Sequence, residues 1–170
     1  MSVLLRPKPA PGAAPSETVV SRLADCHARI RRFLAEARAL ATGVGSQEAR
    51  RASAVGVARY FSEALPLHAE DEDRRIAPHL PALAALHARL AREHEAIEAE
   101  LALLAPTWAA WARGETAPPD AEHAAIVERL ASGLEAHLTL EERELFPHLA
   151  ALAPDLDAEV VRAMIARRTR

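Results

Sequence analysis

Two thirteen-residue segments set nearly seventy residues apart, "HAEDEDRRIAPHL" (residues 68 to 80) and "HLTLEERELFPHL" (residues 137 to 149), place histidine, glutamate, proline, histidine and leucine at identical offsets. Each reads H-x3-E, then an acid and an arginine, then P-H-L. A fold that uses the same local arrangement twice needs two equivalent places for it, and this requirement narrows the architecture more than any other feature of the chain. The surroundings of both copies are helical in character. Leucine, alanine, arginine and glutamate dominate, all good helix formers, and no run alternates apolar and polar residues as a strand would. The fold class expected is all-α.

Proline and glycine divide the chain. Residues 1–15 carry four prolines without periodicity and read as an extended arm. The first helix is expected from Ser16, as cap, to Ala41, before "TGVGS". The second runs from Gln47 to Ala77, stopped by Pro78 and kinked by Pro66 ahead of His68. The third starts at Pro81 and reaches Arg113, with a bend at Pro106. The fourth spans Asp120 to Phe146 and is stopped by Pro147, and a short fifth begins at Pro154 and lies across one end. Short loops between four long helices make an antiparallel up-down bundle over 16–150, followed by the short helix of 151–170. The repeat then falls at the C-terminal ends of the second and fourth helices, which run parallel and are related by a pseudo-twofold axis.

The apolar stripes spaced by three and four residues mark the faces turned inward. They read Val20, Leu23, His27, Ile30, Leu34 in the first helix and Val57, Phe61, Leu65, His68, Glu72, Ile76 in the second. The third gives Leu83, His87, Leu90, His94, Ile97, Leu101, Leu104, and the fourth Leu130, Leu134, His137, Glu141, Leu145. Every stripe is interrupted by histidine. One inward histidine is ordinarily a hydrogen-bonded core residue. Four, two of them followed at i+4 by an inward glutamate, are different, because an unpaired buried charge costs several kcal/mol and no inward arginine or lysine stands at that level. Residues four apart on a helix differ by about 40° around the axis and roughly 6 Å along it, so both side chains of H-x3-E face one point. Imidazole and carboxylate together suit first-row metals, iron among them. Two such helices supply two carboxylates able to bridge, and four histidines divide as two per metal. With a bridging oxygen added, about two positions of a six-coordinate iron pair stay open to a small ligand.

A lone His27, then "LPLHAEDE", "REHEAIEAEL" and "LEAHLTLEERELFPHL" resemble the hemerythrin-like family of HHE cation-binding four-helix bundles, over about residues 16 to 150. That resemblance implies two iron ions with an oxo or hydroxo bridge, other divalent metals being possible. By position it implies the ligands His27, His68, Glu72, His94, His137 and Glu141. Family members bind O2, sense oxygen or iron, or act on nitric oxide and damaged iron–sulfur clusters. Oxygen-carrying members have two histidines four apart on the third helix and five in all; here Glu98 stands four residues after His94 and Leu90 four before it, which moves the resemblance towards the four-histidine, two-glutamate members associated with iron–sulfur repair. Those carry a cysteine-containing N-terminal domain that residues 1–15 do not supply. Ala69 stands where many bacterial relatives have a second histidine.

Other residues are read as bystanders. His87 is an alternative ligand two turns from His94, and Glu98 is read as solvated, with ligand or hydrogen-bonding roles as alternatives. His79 and His148 follow prolines and face solvent or cap the bundle, His123 lies too far from His137 to take part, and Cys26 is read as packing with a redox role as the alternative. Tyr60, Trp108 and Trp111 belong to core or rim.

The functional expectation is a di-iron protein that binds or responds to O2 or NO. The alternatives are iron homeostasis without gas chemistry and a metal-stabilised regulatory interaction domain. A net charge of −3, from 21 basic and 24 acidic residues without a basic stripe, argues against nucleic acid. No segment suits a bilayer or a signal peptide, so a cytoplasmic protein off the membrane is expected. A single cysteine excludes an internal disulfide framework, and no nucleophile–base pair or nucleotide loop points to a hydrolase or kinase.

Overall fold

The computed structural model describes residues 17–168, so the arm of residues 1–15 and the cap expected at Ser16 lie outside it. The first helix, α1 (Val19–Ala41), is capped by Thr18 instead: its hydroxyl accepts from the Ser21 N–H while the Ser21 hydroxyl accepts from the Thr18 N–H. This reciprocal pair satisfies two of the donors that a helix start leaves open. Gly43, at φ +68°, turns the chain out of α1, in the left-handed conformation that glycine adopts without a Cβ clash. Ser46 then caps α2 (Gln47–Arg59), and Asp120 caps α5 (Ala121–Leu140).

Prolines act less simply than the sequence suggested. Three π turns interrupt the helices, at Tyr60–Ala64, Glu72–Ile76 and Glu141–Leu145, and each precedes an X-Pro step. In each, the residue just before proline (Leu65, Ala77 or Phe146) donates its N–H five residues back, to Tyr60, Glu72 or Glu141. Proline has no N–H to give, and its ring collides with the carbonyl four residues earlier. Widening the turn by one residue removes that collision and lets the chain stay helical. The first π turn leads into α3 (Leu65–Asp71), which is how Pro66 is accommodated. The stop expected before Pro78 agrees with the structure, where the rod ends at Ile76 and a 3-10 turn covers Ala77–His79; the stop expected at Pro147 is corrected, because α6 (Phe146–Leu149) continues beyond it. A 3-10 turn at Pro81–Leu83 opens α4 (Ala84–Ala112), which runs unbroken through Pro106.

Helix α1 packs on α2 and α5, and α4 packs on the same two, closing an up-down ring of four rods. Helix α7 (Pro154–Arg168) packs against α1 and the Glu72–Ile76 turn. The apolar interior is split. One cluster includes Ile30, Leu34, Leu65, Ile97, Trp108, Leu130 and Leu134. The other includes Leu23, Ile76, Leu90, Leu145, Leu149 and, from α7, Val160, Val161 and Met164. Along every rod the changeover between clusters falls at a histidine: Leu23 and Ile30 flank His27, Leu65 and Ile76 flank His68 and Glu72, Leu90 and Ile97 flank His94, and Leu134 and Leu145 flank His137 and Glu141. A polar layer thus divides two aliphatic cores.

Candidate metal centre

His27 comes from α1, His68 from α3, His94 from α4 and His137 from α5, while Glu72 and Glu141 are the first residues of equivalent π turns. The structure brings all six together. Four of them, His27, His68, Glu72 and Glu141, place donor atoms within 4.8 Å of one another; Glu72, His94, His137 and Glu141 do the same. Glu72 sets Oε1 at 3.3 Å from His68 Nε2 and Oε2 at 3.3 Å from His94 Nε2. Glu141 sets Oε2 at 2.9 Å from His27 Nε2 and Oε1 at 2.7 Å from His137 Nε2. Each carboxylate therefore offers one oxygen to each half. The pseudo-twofold relation of the repeat reappears as the relation between the halves.

Whether these residues suit a cation is decided by their unpaired atoms. The Nε2 of all four histidines and all four oxygens of Glu72 and Glu141 are buried, and among the described residues they face only one another: Glu141 lies in close contact with His27 and His137, and no further hydrogen-bond partner reaches the layer. Buried polar groups are ordinarily satisfied, and gathering eight of them in one dry layer with only each other to face would be costly. A positive ion in each half would satisfy them together, and the imidazole and carboxylate donors are those that first-row metals accept. Protein groups alone balance the layer poorly. Burial raises Glu72 well above the usual carboxylate range, and the neighbouring Glu141 pushes it the same way. Burial works against an ionised Glu141 as well, but the imidazoles of His137, His27 and His68 outweigh it and hold this carboxyl well below its ordinary value. For His137 burial opposes the charge, and Glu141 and Glu93 reverse the outcome and raise it. Burial drives His68 down to about 3.

A surrounding layer orients the imidazoles, and sequence reasoning missed it. With Nε2 turned to the centre, Nδ1 carries the proton. His27 Nδ1 donates to Glu142 Oε1 at 2.9 Å, and the same oxygen accepts from Arg31 at 2.8 Å. His137 Nδ1 donates to Glu93 Oε2 at 3.0 Å, and Glu93 Oε1 accepts from Arg89 at 2.8 Å. Such carboxylates fix ring orientation and raise the basicity of the coordinating nitrogen. Asp73 stands 3.8 Å from His94 Nδ1, beyond hydrogen-bond reach, and His68 Nδ1 has no hydrogen-bond partner among the described residues. One signal was available in sequence: each acid is the immediate neighbour of a site residue, Glu93 before His94 and Glu142 after Glu141. It was masked because each serves a histidine on another helix.

The model of the hemerythrin HHE cation binding domain family matches residues 18–163. The chain belongs to this family. No curated protein matches the chain. In this hemerythrin domain the match extends into α7, whose apolar side completes the second core, and metal binding is the property that family and donor clusters share. Among the described residues, His87, His123, Glu98 and Cys26 join neither donor cluster. His87 is half-buried, and His79 and His148 are exposed. His123 is buried far from the centre, its ring 4.9 Å from that of Trp111. Cys26 is half-buried beside Arg168. No helix among the described residues is long and apolar enough to cross a membrane.

Proposed function

We propose that this hemerythrin domain holds two iron ions on His27, His68, Glu72, His94, His137 and Glu141, and that it binds or responds to O2 or NO there. The observation that carries the reading is the pairing of carboxylate oxygens, one from each glutamate to each half, so that each glutamate could serve an ion in both. A ferrous pair, when bound, supplies electrons and open coordination positions for a diatomic ligand. The chain's own residues do the rest. His27 and His137 are oriented by Glu142 and Glu93, the apolar cores on either side exclude water, and Glu98 is exposed rather than turned inward as a further ligand. A sensing, storage or repair-like redox role agrees better with that donor set than reversible oxygen carriage does.

A second reading, iron homeostasis or a metal-stabilised interaction domain without gas chemistry, is favoured by one observation: the donors come from all four rods, so a cation would tie the bundle together. Metal analysis of tag-free protein separates these ideas from a metal-free bundle. About two irons per chain are expected, falling sharply in both Glu72→Ala and Glu141→Ala, since each glutamate serves both halves. Visible absorption that changes on reduction and exposure to NO or O2 supports the gas-binding reading. Bound metal with an unresponsive spectrum supports the second, and absence of metal in the wild type refutes both.

A further inference from the structure

Away from the histidine layer, an open groove of about 480 Å³ lies where α1, α2, the Tyr60–Ala64 turn, α3 and α7 meet. That volume falls within the roughly 300–1,000 Å³ of small-molecule sites, and none of the six donors lines the groove. Its apolar part is Phe33, Tyr60, Ala64 and Leu67. Phe33 and Tyr60 stack with ring centroids 4.1 Å apart, and Tyr60 meets Phe61 edge to face, so this wall is fixed before any guest arrives. Gly56 puts no side chain into the space beside Phe33. The polar part is cationic. Arg59 is paired with Glu63 at 3.1 Å and Arg168 with buried Asp71 at 2.7 Å, which balances both. Arg29 lines the same groove, exposed, and forms no ion pair or hydrogen bond among the described residues. One positive charge is therefore left uncompensated. The Tyr60 hydroxyl has no hydrogen-bond partner among the described residues either. Burial pushes it above its ordinary value against the pull of Arg29, Arg32 and Arg168, so it keeps its proton and can donate.

We infer that this groove binds a small aromatic monoanion, an aryl carboxylate, with its ring against the Phe33–Tyr60 wall and its carboxylate held by Arg29 and the Tyr60 hydroxyl. Charge and shape select together. A guanidinium matches a carboxylate through two parallel N–H bonds, whereas a cationic guest would meet Arg29 as a like charge. Aromatic rings gain more from one another than buried area alone supplies, so an aliphatic acid forfeits that part. A dianion finds only one free cation. The site does not depend on whether the His/Glu layer holds metal.

Tyr60 is the only tyrosine of the chain, so isotopic labelling of tyrosine rings gives a single NMR reporter inside the groove. Titrating the purified chain with 2-naphthoate should move that signal saturably, with a Kd of about 1 mM at the efficiency ordinary for small ligands. Two comparators should each bind at least about fivefold more weakly: 2-naphthylmethylammonium, with the same rings and the opposite charge, and cyclohexanecarboxylate, with the same charge and no aromatic ring. Arg29→Gln removes the charged partner and should weaken naphthoate about tenfold. Gly56→Leu should abolish binding by filling the groove. A Cβ at this position meets Phe33 at 3.5 Å, an ordinary contact, and leucine is a better helix former than glycine, so the variant is expected to fold. Arg92→Gln, exposed on α4 and outside the groove, should bind as the wild type does. A Tyr60 signal that naphthoate leaves unmoved overturns the site. So does equal binding of either comparator, or an affinity untouched by both Arg29→Gln and Gly56→Leu.

Discussion

Replacing Glu93 by glutamine should weaken one metal position and spare the other. The carboxylate serves two donors at once, His137 Nδ1 at 3.0 Å and Arg89 at 2.8 Å. Glutamine has one acceptor oxygen. Turned to His137, it leaves its NH2 group facing the guanidinium, so the charge-assisted bond becomes a neutral one and the brace to Arg89 is lost. A hydrogen bond to a charged group is worth about 1 kcal/mol more than a neutral one, and an exposed i,i+4 ion pair contributes about 0.3–0.5 kcal/mol. Together these come to roughly 1.4 kcal/mol, about tenfold in affinity, at the lower end of the roughly 10–100-fold typical for groups that orient metal ligands. The assay is a stepwise titration of metal-free protein with cobalt(II) against a competing chelator, in which each bound ion adds its own visible bands. One step should weaken about tenfold and the other stay within twofold, because His27 in the opposite half is braced independently by Glu142 and Arg31. Two steps that weaken equally, or none, would show that Glu93 does not act through His137.

Asp71, fully buried, is held by Arg167 at 2.8 Å and Arg168 at 2.7 Å. Burial nevertheless keeps its carboxyl above the usual range despite both arginines, so Asp71→Asn should cost only about 1–3 kcal/mol, below the range for dry ion pairs, as read by denaturant unfolding; a larger loss would mean that the clamp of α7 onto α3 outweighs its desolvation. His123 gives a pH prediction. Burial lowers its folded-state value, so the unfolded chain takes the proton first, and the His123 contribution is complete above about pH 6.5 and fades as pH falls below it. The stability of His123→Phe should fall less than that of the wild type between pH 7 and pH 5, and parallel curves would refute the assignment. Chelation should lower the melting temperature and iron(II) restore it, the stability gained being about 2.7 kcal/mol for each bound ion when free metal is a hundredfold above its Kd; a melting temperature indifferent to metal would mean that the polar layer is satisfied without a cation.

The inward faces are legible in the amino-acid sequence because helical periodicity is a local property. His27, His68, Glu72, His94, His137 and Glu141 each lie on the apolar stripe of their own helix, and stripes must turn inward to bury their leucines. The repeat added the pseudo-twofold relation. Proline misled at one place: its local effect is to end a helix, as it does before Pro78, but at Pro147 a widened turn lets the helix continue, and no local rule distinguishes the two. The bracing acids, Glu93 and Glu142, were invisible for a related reason, since each touches a histidine more than forty residues away.

The amino-acid order by itself thus determined which side chains face inward, through short-range periodicity and the cost of burying charge. Tertiary structure alone decided how those side chains meet: which oxygen of each glutamate serves which half, and which acid braces which imidazole. These are distances between separate helices, and they arise only when the rods pack and choose their relative rotation and height.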